Sequence, residues 1–147
     1  MDEDVRAIER LIDRQFASMS WTAGGAPDFE TFGRDFLPEA SLFAAARPVR
    51  SQNVERFAER MRGLVGTSLR SFDERVLGTR IQVFGNVAVA VVACENTENG
   101  TDVNRNVEMM LLVKEDGAWK IAAQAWDKAT DAQPIPADLK KRYPAGA

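Results

Sequence analysis

The chain has 147 residues, of which 45% are hydrophobic and 28% charged, a composition typical of a single globular domain. A net charge of −3 and a pI of about 5.1 argue against nucleic-acid binding, which needs a basic face. The sequence contains no histidine, which excludes Ser/His/Asp and Cys/His catalysis and the commonest zinc ligand sets. Any catalysis must therefore use carboxylates, arginine, lysine or a bound ion.

The termini and the single cysteine bear on the compartment. Cys94 has no partner for an intrachain disulfide, so nothing indicates an oxidising environment. The start, Met1-Asp2-Glu3-Asp4, is acidic where a signal peptide is basic, and no apolar run has membrane-spanning length. The short basic cluster Lys140-Lys141-Arg142 is typical of solvent-exposed charge. We predict a cytoplasmic protein with no nucleic-acid or membrane partner.

Helical spacing dominates the first part of the chain. Residues 2–20 carry one apolar stripe, formed by Val5, Ile8, Leu11, Ile12, Phe16 and Met19. Asp28 is predicted to cap a second short helix, from Phe29 to Phe36. A short edge strand follows at Ser41–Ala45, and Ser51 is predicted to cap a third helix with apolar residues at Val54, Phe57, Met61, Leu64 and Val65.

From Ser68 onward the apolar period changes towards two. Leu69–Phe84 is predicted to be a long strand with a bulge at Gly78. Three further strands are predicted at Val87–Thr97, Val103–Lys114 and Ala118–Lys128. This order predicts an α+β protein: a strongly curved, mostly antiparallel sheet with three helices on its concave face, the cystatin-like cone. One domain is expected over residues 1–130, followed by an irregular tail at residues 131–147.

The last three strands indicate which side chains face the helices. Their odd-numbered positions are the more apolar set, so we predict that these positions look inward. A ligand pocket is then predicted between sheet and helices, although plain core packing is the alternative for each aromatic side chain. The apolar lining is predicted to be Phe16, Met19, Trp21, Phe32, Phe36, Val91 and Met109.

Turn chemistry sets the expected register of the charged residues. A three-residue turn at 115–117 places Arg105 opposite Asp127. Two registers remain open for the preceding hairpin, one with Glu95 diagonal to Arg105 and one with Glu95 directly opposite. Either way Glu95, Arg105 and Asp127 are expected to form a charged row at one end of the pocket. The row is interpreted as a solvated ion-pair ladder or, alternatively, as a ligand-orienting arginine between acids.

One turn conflicts with this face assignment. A two-residue turn at Gly85-Asn86 pairs Phe84 with Val87, which turns Ile81 and Val83 away from the predicted inward face. Either a bulge intervenes or the turn lies elsewhere.

The even-numbered positions are too apolar for a surface that faces water. We therefore predict a homodimer in which two sheets pack against each other. The predicted interface consists of Val92, Met110, Leu112, Gln124 and Trp126.

The order of elements and three short motifs carry a family resemblance. The motifs are Phe84-Gly85-Asn86-Val87-Ala88-Val89, Asp116-Gly117-Ala118-Trp119-Lys120-Ile121 and Ala125-Trp126-Asp127. The chain resembles the nuclear-transport-factor-2-like superfamily, most closely its SnoaL-like branch. The resemblance implies a cone-shaped cavity and relatives such as ketosteroid isomerase, scytalone dehydratase and polyketide cyclases. Carry-over of catalytic roles largely fails. The isomerase pattern uses a tyrosine as an oxyanion donor, and the only tyrosine here is Tyr143 in the tail. The dehydratase pattern relies on histidine, which this chain lacks.

The sequence favours two functions. The first is binding of a small, largely apolar molecule, with Arg105 as the polar anchor and with no metal or cofactor. The alternative is an isomerase, cyclase or dehydratase that uses Asp127 or Glu95 as general base. This alternative needs a carboxylate whose pKa is raised by desolvation, whereas a neighbouring Arg105 lowers it.

Overall fold

A computed structural model describes residues 2–140, and its six strands form one curved sheet that does not close into a barrel. The sheet order is β2-β1-β6-β5-β4-β3, with β1 parallel to β6 and all other neighbours antiparallel. The predicted α+β class and mostly antiparallel sheet are confirmed. The strands are β1 (Phe36–Phe43), β2 (Ser51–Gln52), β3 (Phe72–Phe84), β4 (Val87–Glu98), β5 (Asp102–Glu115) and β6 (Ala118–Lys128).

Three helices lie against this sheet: α1 (Glu3–Ser18), α2 (Phe29–Arg34) and α3 (Val54–Leu64). As predicted, the side chain of Asp28 caps α2 by accepting the backbone N–H of Thr31. The third helix begins after Asn53, not Ser51, because Asn53 accepts the N–H of Arg56 and Ser51 belongs to β2. None of the helices in residues 2–140 has the length and apolar character that crossing a bilayer requires.

The core identifies the face of the sheet that the helices cover. Buried apolar residues of the helices pack against even-numbered residues of β4 and β5, namely Ala88, Ala90, Val92, Cys94, Met110 and Leu112. The odd-numbered Met109 and Leu111 are 58% and 47% exposed. The prediction that odd positions of these two strands look inward is therefore wrong.

Two local irregularities explain why one parity rule cannot hold across the sheet. The β5–β6 turn has two residues, Asp116 and Gly117, both with positive φ, and it pairs Lys114 with Trp119. Trp119 therefore shares the inward face with even residues of β5. A bulge at Ala122 then shifts the register, so that beyond it the even-numbered Gln124 points inward.

The β3–β4 hairpin resolves the conflict at Gly85-Asn86. Phe84 pairs with Val87, so the two-residue turn was placed correctly. The register shifts between Val76 and Gly78, which confirms the predicted bulge. Beyond this bulge Ile81 pairs with Ala90 and packs against the helix-covered core. The pairing set by this turn therefore indicates the correct inward face, which carries Ile81 and Ala90.

The segment after β6 returns across the outer face of the sheet. Ile135 and Leu139 are buried there against Ala93, forming a second small cluster away from the helices. A short 3₁₀ turn, Ala137–Leu139, holds this contact. The predicted division at residue 130 remains a prediction. Lys141, Arg142 and Tyr143 lie outside the described residues.

Gly78→Ala is expected to displace this segment. A Cβ at residue 78 would collide with the backbone carbonyl of Leu139, which cannot rotate away as a side chain would. We expect a loss of about 1–3 kcal/mol in unfolding free energy and faster proteolysis of the segment after β6. Gly63→Ala in α3 is the matched control, because its Cβ meets no atom within 4 Å. Urea unfolding and limited proteolysis of both variants test this; equal behaviour would contradict the packing.

Candidate functional site

The inward face of the sheet changes from aliphatic at one end to polar at the other. Along β4 the inward residues run Ala88, Ala90, Val92, Cys94 and Asn96, and along β5 in the opposite direction they run Leu112, Met110, Glu108 and Asn106. We call the polar half of this face, with its neighbours on α1, β3 and β6, the polar end. Its members are Gln15, Glu74, Cys94, Asn96, Asn106, Glu108 and Gln124.

Buried hydrogen bonds connect the polar end from α1 to β4. Gln15 Nε2 donates to Gln124 Oε1 at 2.8 Å, and Gln124 Nε2 donates to Glu108 Oε1 at 2.5 Å. On the other side, the Cys94 thiol donates to Glu108 Oε2 at 3.5 Å. Glu108 therefore lies at the centre of the network, held by one amide and one thiol.

Several acceptors in the polar end have no donor. Gln15 Oε1, Asn96 Oδ1 and Asn106 Oδ1 are buried and have no hydrogen-bond partner in the described part of the chain. The residues are only 1%, 7% and 7% exposed. Because an unsatisfied buried acceptor costs about 1–3 kcal/mol, such groups are uncommon in a region that serves only as core. Three of them on one face indicate a site that receives donors from elsewhere.

Burial also changes the ionisation of the polar end. Desolvation raises the pKa of Glu108 to about 7, against the opposing hydrogen bonds from Gln124 and Cys94. Desolvation, and then the charge of Glu108, raise the pKa of the Glu74 carboxyl. Desolvation likewise raises the pKa of Cys94, so its thiol stays protonated at neutral pH. Glu108 can thus donate or accept a proton near neutrality.

An aromatic wall borders the polar end. Trp126 of β6 lies directly across from Glu108 of β5, and its ring forms a T-shaped contact with Phe57 of α3, with ring centroids 5.8 Å apart. Phe57 stacks on Phe32 of α2 at 5.4 Å. Trp126 and Phe57 are half-buried. The wall offers flat apolar surface next to hydrogen-bonding groups.

The predicted ligand-binding residues divide between the two faces. The five predicted from the helical part of the chain lie in the core beneath the helices, namely Phe16, Met19, Trp21, Phe32 and Phe36. Val91, Met109 and Arg105 project from the opposite face of the sheet, because β4 and β5 turn their even residues inward. The structure does not bring the predicted pocket lining together.

The predicted charged row is only partly formed, and it lies on the outer face. Glu95 and Arg105 are directly opposite in β4 and β5, which confirms one of the two registers considered. Glu95 is 2.9 Å from Arg105 and 2.8 Å from Arg75, and both guanidinium groups are more than half exposed. Asp127 pairs with Val107, not Arg105, because the two-residue β5–β6 turn and the bulge in β6 each shift the register by one residue.

Neither acid of that row suits general-base chemistry near neutral pH. The hydrogen bond from Arg105 is the main cause that lowers the pKa of Glu95. The backbone N–H of Lys128 and the side chain of Gln133 lower the pKa of Asp127. Both groups are therefore weak bases, and the desolvated carboxylate that the enzyme hypothesis requires is Glu108 instead.

Glu95→Gln is expected to have a small, pH-dependent effect on stability. Because the pKa of Glu95 is lowered on folding, its ion pairs stabilise the protein above the unfolded pKa and lose their effect as pH falls through the folded pKa. We expect a loss of no more than about 1 kcal/mol at neutral pH, since both arginines are exposed. Urea unfolding at neutral and acidic pH tests this, and a loss that persists in acid would contradict it.

The predicted dimer residues are buried within the chain. Val92, Met110, Leu112 and Gln124 are at most 4% exposed because α1 and its neighbouring core residues cover them. Trp126 meets Phe57. This set cannot form a subunit contact, so the assignment was wrong. The outer face instead exposes Val87, Val89, Met109 and Leu111.

Sequence reasoning missed the polar end, although a signal was present. Asn106 and Glu108 occupy alternate positions of β5, in line with the inward Met110 and Leu112. Polar residues that continue an inward apolar row mark a functional face when the row is assigned correctly. One side-chain atom each of Glu74, Cys94 and Glu108 on this face lies within 4.8 Å of the other two.

Comparisons with known proteins agree with this architecture. A family model described as "Putative lumazine-binding" matches residues 3–127. No curated protein matches the sequence. Solved structures with the same fold belong to the nuclear-transport-factor-2-like superfamily, which confirms the predicted resemblance.

Three of these structures show how far the likeness extends. A protein of unknown function with a cystatin-like fold from Nostoc punctiforme has a TM-score of 0.70 at 13% identity, covering 89% of this chain and 95% of that one. A "Putative Scytalone Dehydratase" from Novosphingobium aromaticivorans has a TM-score of 0.67 at 15% identity, covering 94% and 92%. A ketosteroid isomerase-like protein from Erwinia carotovora atroseptica has a TM-score of 0.63 at 17% identity, covering 88% and 99%. At these identities the likeness shows the fold alone.

Proposed function

The chain belongs to the family whose model is described as "Putative lumazine-binding", and from that premise we propose that it binds a small, flat, largely apolar heterocycle at the polar end. The observation that carries the proposal is the set of buried amide oxygens without donors, beside a carboxyl whose pKa is near neutrality. A pteridine-like ring offers N–H donors along one edge and a flat apolar surface. The N–H donors match the acceptors of Asn96, Asn106 and Glu108. The flat apolar surface matches the aromatic wall.

The route to this site runs past α3. Only Ala58 and Met61 of α3 are buried, whereas α1 buries seven residues. A helix with few buried side chains separates from the sheet at lower free-energy cost than the rest of the fold. Displacement of α3 would open the space between Phe57 and Trp126, next to Glu108.

Titration with lumazine tests the proposal. Quenching of protein tryptophan fluorescence reports binding, because Trp126 borders the site. We expect saturable binding, weakened by more than about tenfold in Asn106→Leu, which removes an amide acceptor, and in Glu108→Gln. Glu95→Gln on the outer face is the matched control and should bind as the unmodified protein does. Absence of saturable quenching, or inward variants that bind as tightly as the unmodified protein, would contradict the proposal.

A second candidate function is acid–base catalysis by Glu108. It is favoured by the burial that raises the pKa of Glu108 to about 7, because a general base is most effective near the operating pH. The reaction would be proton transfer next to a carbonyl of the bound molecule, without histidine. Turnover of a cyclic enone, measured against pH, should rise through the pKa of Glu108 and be lost in Glu108→Gln. A pH-independent rate would contradict it.

We place the predicted homodimer contact on the outer face instead of the inner one. Val87, Val89, Met109 and Leu111 are neighbours across β4 and β5, and each is at least 46% exposed. An apolar patch of this kind is typical of a subunit interface. Light scattering should give twice the chain mass, and Met109→Lys should give the single-chain mass. A monomeric unmodified protein would remove this part of the proposal.

The cytoplasmic location stays a prediction.

A further inference from the structure

Three metal-binding side chains from three strands converge in the polar end. They are Glu74 of β3, Cys94 of β4 and Glu108 of β5, and one ligand atom of each lies within 4.8 Å of the other two. A tetrahedral ion with ligands at about 2.0–2.3 Å separates them by roughly 3.3–3.8 Å. Small side-chain rotations therefore bring all three atoms into coordination distance.

A second observation, independent of the carboxylates, points to the same place. Asn96 lies directly across from Glu74, and Asn106 lies directly across from Cys94. Both asparagines are 7% exposed, and neither Oδ1 atom has a hydrogen-bond partner in the described residues. Directly opposed residues have Cβ atoms about 4.5–5.5 Å apart, so an amide oxygen is available to complete the shell.

The electrostatics of the cluster favour a cation. Within residues 2–140, no lysine or arginine forms an ion pair with Glu74 or Glu108. A divalent cation between these two carboxyl groups would supply the positive charge that no neighbouring side chain provides. An open cleft of about 400 Å³, bordered by Asp13 and Ser20, lies against Glu74 on the solvent side.

We propose that the polar end binds one divalent cation of the zinc class through Glu74, Cys94 and Glu108, with Asn96 or Asn106 or a water as the fourth ligand. One thiolate with oxygen ligands suits a borderline-soft ion better than calcium or magnesium. On coordination the thiol proton of Cys94 leaves to solvent, and a sulfur–metal bond replaces the S–H bond. The inference departs from the expectation that the protein binds no metal. It does not depend on the organic ligand.

Addition of Co²⁺ to the chelator-treated full chain tests the proposal. Cys94 is the only cysteine, so a thiolate-to-cobalt charge-transfer band in the near ultraviolet reports this residue alone. We expect the band to saturate at one equivalent of Co²⁺ and Zn²⁺ to displace it. Cys94→Ser should abolish the band, and Glu74→Gln should weaken binding by more than about tenfold. Glu115→Gln, at the exposed far end of β5, is the matched control and should bind as the unmodified protein does.

Absence of the band from the unmodified protein would overturn the proposal, and this outcome needs no variant to fold. Equal Co²⁺ affinity of Glu74→Gln and the unmodified protein would overturn it as well. Circular dichroism checks that each variant is folded. The lumazine titration is run in EDTA and the cobalt titration without lumazine, so that failure of one proposal is distinguishable from failure of the other.

Discussion

Leu112→Ala is expected to lower the unfolding free energy by about 2–5 kcal/mol, whereas Leu111→Ala lowers it by less than about 1 kcal/mol. The two leucines are adjacent in β5 and chemically identical, but Leu112 is fully buried under the helices and Leu111 is 47% exposed. Removing the Leu112 side chain leaves a cavity among packed core residues. Removing the Leu111 side chain leaves space already open to solvent.

Urea unfolding of the two variants at low protein concentration measures this difference. Low concentration limits any contribution from association through the outer face. The neighbouring pair Met110 and Met109, at 2% and 58% exposure, offers the same comparison with a different side chain. Equal losses at Leu111 and Leu112 would contradict the predicted asymmetry, and a larger loss at Leu111 would show that the helices cover the other face.

Glu108→Gln is expected to stabilise the protein at about pH 8 and to leave it nearly unchanged at about pH 4.5. The folded pKa of Glu108 is about 7 and the ordinary value is 4.5, so between these values the folded state binds more protons than the unfolded state. The unfolding free energy therefore falls as the pH rises through this window. The fall is on the order of 3 kcal/mol, at about 1.4 kcal/mol per pKa unit. Glutamine keeps the acceptor for Gln124 but carries no charge to desolvate.

Urea unfolding across this pH range, with EDTA to exclude metal, measures the effect. Glu115→Gln, at the exposed end of the same strand, is the control and should follow the unmodified protein at every pH. Loss of stability in Glu108→Gln at about pH 8 would mean that the ionised carboxylate is stabilised by groups other than those described.

Sequence patterns were sufficient for most of the fold. The apolar stripe at residues 2–20, the Asp28 cap, the bulge at Gly78 and the turn at Gly85-Asn86 all correspond to observed features. Each depends on neighbours in the chain, so local chemistry specifies it. The start of β1 was missed because Pro38 indicates a break, whereas here it lies where the register between β1 and β6 shifts.

The site could not be located because the two faces of β4 and β5 are almost equally apolar. Val89, Met109 and Leu111 have the apolar character of core residues, but they lie on the outer face of the sheet and are about half exposed. A bulge at Ala122 and a two-residue turn where three residues were expected each change the parity by one. The two-residue turn at Gly85-Asn86 pairs Ile81 with Ala90 and so indicates the correct inward face. A short turn fixes the register more firmly than average hydrophobicity does.

Titration of the Glu108 carboxyl group tests most directly whether this face is a desolvated polar site. The titration is followed by carbon-13 NMR in EDTA, and Glu108→Gln assigns the signal. The structure predicts a midpoint near 7, with Glu95 on the outer face titrating below 4.5. A midpoint for Glu108 at or below 4.5 would place its carboxyl group in water and contradict the proposed site.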